Sequence, residues 1–189
     1  EQALKLRQEL GDPALIAEAL IHLAGVSYSL DKSTKIETHI HAVLKLRSEY
    51  QQPVVLGYTS ILLGVLAFSG GDLAKGTTYL QEAVATMSAL GYLRQRMRAR
   101  GYLISALILQ GKIEEAERLC HEDLDEIDAT GARQFRGYRL IGLGSIALAK
   151  QAYNEAEAYL RKALSEGQEL GIEHVVVEAF LHLVNPIVA

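Results

Sequence analysis

The chain has 189 residues, 49% of them hydrophobic and 22% charged, which is the composition of a folded globular protein rather than a disordered one. Its net charge of −4 argues against direct nucleic-acid contact and against binding to a membrane surface. The single cysteine, Cys120, excludes an internal disulfide and fits a reducing, cytoplasmic compartment.

Helices are the regular structure that the apolar spacing predicts. Apolar residues recur three and four positions apart between short breaks, and no segment alternates in the manner of a strand. Asp12 before Pro13 is typical of a helix start, and Gly91 is typical of a helix end. The longest apolar run, 54–68, is shorter than a membrane span and predicts a buried helix. In chain order, the predicted helices cover about 1–10, 13–30, 33–50, 53–70, 73–90, 93–110, 113–130, 133–150, 153–170, and 173 onward.

The predicted helices form pairs that repeat every 40 residues without an insertion. One column of the aligned repeats holds a leucine four times, and the break between successive pairs mostly holds glycine. The members of these two columns are Leu23, Leu63, Leu103 and Leu143, and Gly11, Gln51, Gly91, Gly131 and Gly171. A single helical hairpin cannot bury its own apolar face, so the repeat predicts hairpins stacked into an all-α superhelix.

The fourth repeat resembles the tetratricopeptide repeat (TPR) most clearly. The matching positions are Leu143, Gly144, Ala147, Tyr153, Ala156, Leu160, Ala163 and Leu164. Asp123 of the third repeat departs from the family pattern, which usually has alanine there. The period of 40 residues and the Glu-Leu-Gly endings at 9–11 and 169–171 are similar to the helical arrays of large bacterial signalling ATPases and MalT-like transcriptional regulators. The resemblance implies an α-α superhelix whose first helices line a concave groove.

The domain organisation that follows is one TPR-like domain covering 1–189. Residues 1–10 fit the end of a preceding repeat, and 173–189 fit the first helix of a further one, so we expect an internal segment of a longer array. The last helix is apolar on much of its surface. We expect another helix of the parent protein to cover it, or a second copy of the chain through self-association.

The groove that the resemblance implies runs from an apolar, aromatic end to a basic, polar end. Its predicted lining residues are Tyr28, Tyr58, Ile61, Val65, Phe68, Arg94, Arg98, Gln134, Tyr138 and Ser145. Arg94 and Arg98 are four residues apart and share one helix face, where two guanidinium groups could clamp a carboxylate or phosphate. The alternative is that the arginines only form ion pairs with the acidic helix 113–130.

No set of residues in the sequence predicts catalysis, a metal site or a cofactor. The six histidines are scattered, and Cys120 occupies a column otherwise filled by large apolar residues, which predicts a buried and inert thiol. Eight carboxylates crowd the helix 113–130, and we expect them to form a solvated face. They are Glu114, Glu115, Glu117, Glu122, Asp123, Asp125, Glu126 and Asp128.

Two functions are compatible with the predicted groove. The first is a protein–protein interaction module of a larger signalling or transcriptional regulator, which binds a peptide or partner domain with an acidic group in its groove. The alternative is a small-molecule sensing domain, for which Tyr28, Tyr58 and Tyr138 would suit polar rings. In neither case do we expect an enzyme.

Overall fold

The computed structural model describes residues 2–29 and 33–184, with the side chains of these residues except 24–29, 33–37, 39 and 40. Within these ranges the fold is all-α and contains no strand, as the sequence predicts. None of the described helices is both long enough and apolar enough to cross a membrane.

The described residues form ten α-helices and one short 3-10 turn. In chain order they are α1 (Gln2–Leu10), α2 (Pro13–Ser29), α3 (Ser33–Glu49), α4 (Pro53–Ser69), α5 (Leu73–Ala89), α6 (Leu93–Leu109), α7 (Ile113–Thr130), the 3-10 turn (Arg133–Phe135), α8 (Arg136–Ala149), α9 (Tyr153–Leu170) and α10 (Glu173–Val184). The predicted helix positions hold to within a residue, except that the 3-10 turn delays the start of α8. We call α2, α4, α6, α8 and α10 the A helices, and α1, α3, α5, α7 and α9 the B helices.

The breaks between helices depend on residues that accept a left-handed backbone. At the end of α7, Gly131 has a φ of 71° and its N–H donates to the carbonyl of Ile127. The same conformation falls on Gln151 (φ 60°), the single described non-glycine residue that adopts it. Glycine adopts this conformation at no steric cost, which explains its recurrence at the breaks.

Within a repeat, a small residue of the A helix packs against a large residue of the B helix. A Cβ atom at Gly64 would lie 2.7 Å from Leu80 Cγ, and one at Gly144 would lie 2.8 Å from Leu160 Cγ. Leu80 and Leu160 are both buried. The absent side chain therefore makes room for the leucine, and the two helices approach each other closely.

The third repeat reverses this size relation. Ile104 stands in the column of Gly64 and Gly144, and Cys120 stands in the column of the leucines. Both are buried, and both lie against Gly142, where a Cβ would be 3.1 Å from Cys120 Sγ and 3.5 Å from Ile104 Cγ2. In this repeat the large residue of the pair lies on the A helix and the small one on the B helix. The prediction that Cys120 is buried is confirmed. Its small size matches the large size of Ile104.

We expect Cys120→Leu to destabilise the fold by about 1–3 kcal/mol, because the larger side chain would overpack against Ile104. Adding Ile104→Ala should recover much of that loss, since the pair would then match the other repeats. Urea denaturation of the two single variants and the double variant measures this coupling. If the losses in free energy of unfolding of the two single variants simply add up in the double variant, the size relation between Ile104 and Cys120 is contradicted.

The first compact unit covers Glu1–Leu103 and contains α1 to α5 and the start of α6. Here α2 packs on α3 and α4 packs on α5, while each of α1 and α3 also contacts the A helix that follows it. The helices α2 and α4, which are successive A helices, contact each other directly. Their core includes Leu20, Ile61 and Leu62, together with Val43 of α3 and Met87 of α5.

The second compact unit covers Ile104–Ala189 and repeats the same pattern of contacts. Helix α8 packs on α9, α7 contacts α8, and α10 contacts both α8 and α9. Val175 of α10 fills the space beside Gly137 and Gly167, where an added Cβ would lie 2.6 and 2.9 Å from its Cγ1. The boundary between the units falls inside α6 rather than in a linker, so the predicted single domain contains two compact units.

Candidate binding surface

One column of the repeat places three polar side chains on successive A helices of the first unit. Glu18 of α2, Tyr58 of α4 and Arg98 of α6 are 40 residues apart. Glu18 lies close enough to both Tyr58 and His22 to raise their pKa values, and Arg98 lies close enough to His22 to lower its pKa. We define the Tyr58 cluster as the six side chains Arg7, Glu18, His22, Tyr58, Gln95 and Arg98.

Tyr58 is the largely buried centre of this cluster. Its ring belongs to the core of the first unit, and its hydroxyl accepts a hydrogen bond from Gln95 Nε2 at 2.9 Å. Burial raises the pKa of Tyr58, nearby Glu18 raises it further, and the Gln95 hydrogen bond opposes these effects. The phenol is therefore neutral at physiological pH and serves to fix the position of Gln95.

An ion pair holds one side of the cluster. Arg7 Nη1 of α1 donates to Glu18 Oε2 and to the carbonyl of Leu15, both at 2.9 Å. The pair is partly solvent-exposed, so we expect it to contribute at most about 1 kcal/mol to stability. Its main consequence is that the charge of Glu18 is already balanced by Arg7.

The surroundings of His22 disfavour its charged form. Partial burial lowers the pKa of His22 most, Arg98 lowers it further, Glu18 opposes these effects, and Arg7 adds a smaller lowering. Because the folded-state pKa lies below the ordinary value of 6.5, the unfolded chain takes up this proton first as the pH falls. His22 therefore favours the folded state above pH 6.5 and weakens it below.

We expect Arg98→Gln to raise the pKa of His22 toward its ordinary value, because a repelling cation is removed. An NMR titration of the histidine ring protons, with the His22 signal assigned by a His22→Gln variant, measures the change. The matched control is Lys45→Gln, which removes one positive charge from an exposed site on α3. A His22 pKa that is the same in Arg98→Gln and wild type would contradict the placement of Arg98.

Arg94 and Arg98 differ from the other arginines that crowd the start of α6. Arg94 is exposed and Arg98 half-buried, and among the described side chains neither forms an ion pair within 4.0 Å. Arg100 is buried, and both Arg96 and Arg100 interact with other groups of the chain. The two uncompensated guanidinium groups four residues apart are the pair that the sequence predicts as a clamp.

The predicted apolar end of the groove is only partly open. Ile61 is 1% exposed and Tyr58 is 8% exposed, so the expectation that they line an open groove needs correction. Both face into the core because α2, α3 and α5 close around this side of α4. Val65 and Phe68, nearer the end of α4, remain half-buried and are accessible. The Tyr28 side chain lies outside the described residues.

The remaining predicted groove residues belong to the second unit. Gln134 is exposed, whereas Tyr138 and Ser145 are half-buried. The ring of Tyr138 lies 6.0 Å from that of His174 in a tilted arrangement. These three residues are accessible in part, within a unit that is compact by itself.

The arginines at the start of α8 are engaged in ion pairs. Arg136 pairs with Asp128 of α7, and its Nε lies 2.8 Å from Glu166 Oε1 of α9. Arg133 Nη2 lies 2.9 Å from Glu169 Oε1. Arg136 therefore pairs with α7, the acidic helix, and also with α9.

Asp123 and Arg139 form an ion pair in the interior of the second unit, so Arg139 also pairs with helix 113–130. Arg139 Nε donates to Asp123 Oδ2 at 2.5 Å, and the two side chains are 3% and 0% exposed respectively. The prediction that Asp123 belongs to a solvated acidic face is therefore wrong. In the aligned repeats, Asp123 corresponds to Val43, Ala83 and Ala163, which are all fully buried. The apolar residues at this repeat position could have identified Asp123 as buried.

Arg47 is a half-buried hub of hydrogen bonds in the first unit, and the sequence alone did not single it out. From α3 its Nη1 donates to Ser60 Oγ at 2.8 Å, while its Nη2 lies 2.6 Å from Glu82 Oε1 of α5. It also donates to Thr59 Oγ1 and to the Leu56 carbonyl, both at 3.2 Å. Arg7 occupies the same column one repeat earlier and reaches the next A helix in the same way. In later repeats this position holds the apolar residues Met87 and Ile127. Arginine at the same position in Arg7 and Arg47 was the signal that the sequence offered.

Among the described residues, no three histidine, cysteine, aspartate or glutamate side chains come together as they would to hold a metal ion. The Tyr58 cluster consists of hydrogen-bonding and charged side chains. The cluster offers a cationic donor at Arg98 and an ordered amide at Gln95. Outside the cluster, the same unit presents a second accessible guanidinium group at Arg94 and half-buried apolar surface at Val65 and Phe68.

Comparison with protein-family models and with curated proteins finds no match for the chain.

Proposed function

We propose that this chain is a TPR-like α-solenoid that binds an acidic peptide segment of a partner protein across the A helices of its first unit. The observation that carries the proposal is the pair Arg94 and Arg98, which are accessible and lack a carboxylate partner among the described side chains. Guanidinium groups form strong paired hydrogen bonds with carboxylates, so such a pair favours an acidic ligand.

The contacts within each unit support the solenoid. An A helix packs on its own B helix, a B helix packs on the following A helix, and successive A helices contact one another in both α2–α4 and α8–α10. The small-against-large pairs Gly64–Leu80 and Gly144–Leu160 recur at the repeat period. A stack of hairpins built in this way presents its A helices side by side as one surface.

The peptide would place its carboxylate at Arg94 and Arg98 and an apolar side chain at Val65 and Phe68. Glu18 does not repel this ligand strongly, because Arg7 already balances its charge. Gln95, fixed by its hydrogen bond to Tyr58, can use its remaining amide atoms to bind the peptide backbone. The site would thus combine charge with an ordered polar group and modest apolar contact.

The alternative of small-molecule sensing has less support. It depended on tyrosine rings that stack on a ligand, but Tyr58 is buried and its hydroxyl is engaged by Gln95. Tyr138 is half-buried and lies next to His174. A peptide that binds through accessible arginines requires neither ring to be free.

The experiment is fluorescence anisotropy with a panel of short peptides that are acidic, neutral or basic, each with a free or an amidated carboxyl terminus. Wild-type protein should select acidic peptides. Arg98→Gln should weaken the best binder about 10–100-fold, because a hydrogen bond between charged groups contributes about 1.5–3 kcal/mol.

Lys45→Gln is the matched control, since it makes the same change of charge on an exposed B-helix position of the same unit. It should leave affinity within about twofold of wild type, once salt screening is controlled. Equal losses in the two variants would show a non-specific charge effect. Binding without preference for acidic peptides would overturn the proposal.

A further inference from the structure

Gln95 of α6 is a polar residue at a repeat position that is otherwise apolar. Its equivalents in the other repeats are Leu15, Val55, Phe135 and Val175. Val55 and Val175 are fully buried, whereas Gln95 is half-buried. A carboxamide in such a place requires hydrogen-bond partners, because an unpaired polar group is costly to bury.

One partner of Gln95 is the hydroxyl of Tyr58, on the preceding A helix. Gln95 Nε2 donates to this hydroxyl at 2.9 Å. Because the carboxamide is planar, a bond that fixes its nitrogen also fixes the direction of its oxygen. No donor among the described residues reaches Gln95 Oε1. The oxygen is therefore an oriented acceptor that still has its hydrogen-bonding capacity.

This acceptor lies beside the arginines that the proposed peptide would use. Gln95 and Arg98 are three residues apart on α6, so their side chains are neighbours on one helix face. Arg94 directly precedes Gln95 and is exposed. Guanidinium groups can only donate hydrogen bonds, so Gln95 Oε1 adds an acceptor next to two donors. A ligand with a carboxylate and a nearby N–H group would satisfy both kinds of atom.

We propose that Gln95 Oε1 accepts a hydrogen bond from the bound peptide, from the backbone N–H of the residue whose carboxylate binds Arg98. This inference rests on the proposed function, because the carboxylate must bind at Arg98 to bring the N–H within reach. The site thereby selects an acidic residue within an amide chain over a carboxylate that has no N–H beside it. Gln95 determines this specificity, and Tyr58 is a positioning residue that acts through the carboxamide.

A purely structural role for Gln95 makes a different prediction. Tyr58 is 8% exposed, and Gln95 would then serve only to satisfy its hydroxyl. Loss of such a bond would change the stability of the first unit. It would leave unchanged the ratio of affinities for two ligands that differ only in the N–H group.

The test compares two forms of the tightest acidic peptide of the anisotropy panel. Alanine replacement, or amidation for a terminal carboxylate, identifies the anchoring acidic residue. In the second form this residue is replaced by its hydroxy-acid analogue, which has an ester oxygen in place of the N–H and keeps the carboxylate. Wild-type protein should bind the ester about 3–10-fold more weakly than the amide, because one neutral hydrogen bond is lost. Equal affinities would overturn the proposal.

Two variants connect this ratio to the side chains. Gln95→Leu introduces the residue that Leu15 provides at the same repeat position, and it should bind the amide and the ester equally. Tyr58→Phe retains the buried ring and removes only the hydroxyl, so the ratio should fall to less than about half its wild-type value. Lys45→Gln is the control and should keep the wild-type ratio. Circular dichroism verifies that each variant is folded.

The wild-type ratio in Gln95→Leu would overturn the proposal, and the same ratio in Tyr58→Phe would refute the positioning role. Arg98→Gln separates this result from the proposed function, since it should weaken binding of both forms about 10–100-fold. If Arg98→Gln weakens both forms while Gln95→Leu retains the wild-type ratio, peptide binding stands and the role of Gln95 is refuted. If Arg98→Gln changes neither affinity, the proposed function fails and this inference fails with it.

Discussion

Replacement of Asp123 by alanine is expected to destabilise the chain by about 3–5 kcal/mol, the largest loss we predict for any single substitution. The change leaves the guanidinium group of Arg139, which is 3% exposed, without its carboxylate in the protein interior. The result would be notable because the second and fourth repeats have alanine at the corresponding position, Ala83 and Ala163. The expected loss thus depends on Arg139 and not on the position itself.

The companion variants separate the charge effect from packing. Asp123→Ala combined with Arg139→Leu should be more stable than Asp123→Ala alone, because no buried charge is left uncompensated. Asp123→Asn retains the shape of the side chain but removes its charge, and it should also be strongly destabilised. Urea denaturation followed by circular dichroism gives the three free energies of unfolding. A loss below about 1 kcal/mol for Asp123→Ala would contradict a buried ion pair.

Leu80→Ala is expected to cost about 2–5 kcal/mol, because it opens a cavity beside Gly64 in the core of the first unit. Gly64→Ala alone should cost about 1–3 kcal/mol despite the higher helix propensity of alanine, since its Cβ would lie 2.7 Å from Leu80 Cγ. In the double variant the new methyl group occupies part of the cavity. The combined loss should be smaller than the sum of the single losses by about 1–2 kcal/mol.

Gly57 serves as a control for whether the energetic coupling is specific to Gly64 and Leu80. Gly57 contacts Met87 rather than Leu80, so Gly57→Ala should show little coupling with Leu80→Ala. Additive free energies for Gly64→Ala and Leu80→Ala would contradict the small-against-large packing on which the solenoid proposal depends.

The helices could be predicted from the sequence because their determinants are local. Glycine at the breaks and apolar residues three and four apart fix where each helix starts and stops. Because the same pattern recurs every 40 residues, each predicted helix is also supported by the equivalent helices of the other repeats. The 3-10 turn Arg133–Phe135 was missed because a change in the hydrogen-bond pattern of one turn leaves apolar spacing unaltered.

The candidate site was only partly predictable, because burial depends on neighbours that periodicity does not reveal. Arg94 is exposed and Arg98 is half-buried, whereas Ile61, also predicted to line the groove, lies in the core, where α2 and α5 enclose it. Asp123 was hidden among seven other carboxylates of one helix, and only its column distinguished it. His22 and Gln95 gave no signal, since their roles arise from contacts between different repeats.

Binding of an acidic peptide by the A helices of the first unit is tested most directly by backbone-amide NMR. The isotopically labelled chain is titrated with the tightest peptide of the anisotropy panel. We predict that the shift changes concentrate on Val65, Phe68 and 94–98, that His22 responds, and that Arg98→Gln needs about 10–100-fold more peptide to produce them. Shift changes centred on the B helices or on the second unit, or an unchanged titration midpoint in Arg98→Gln, would contradict peptide binding at this surface.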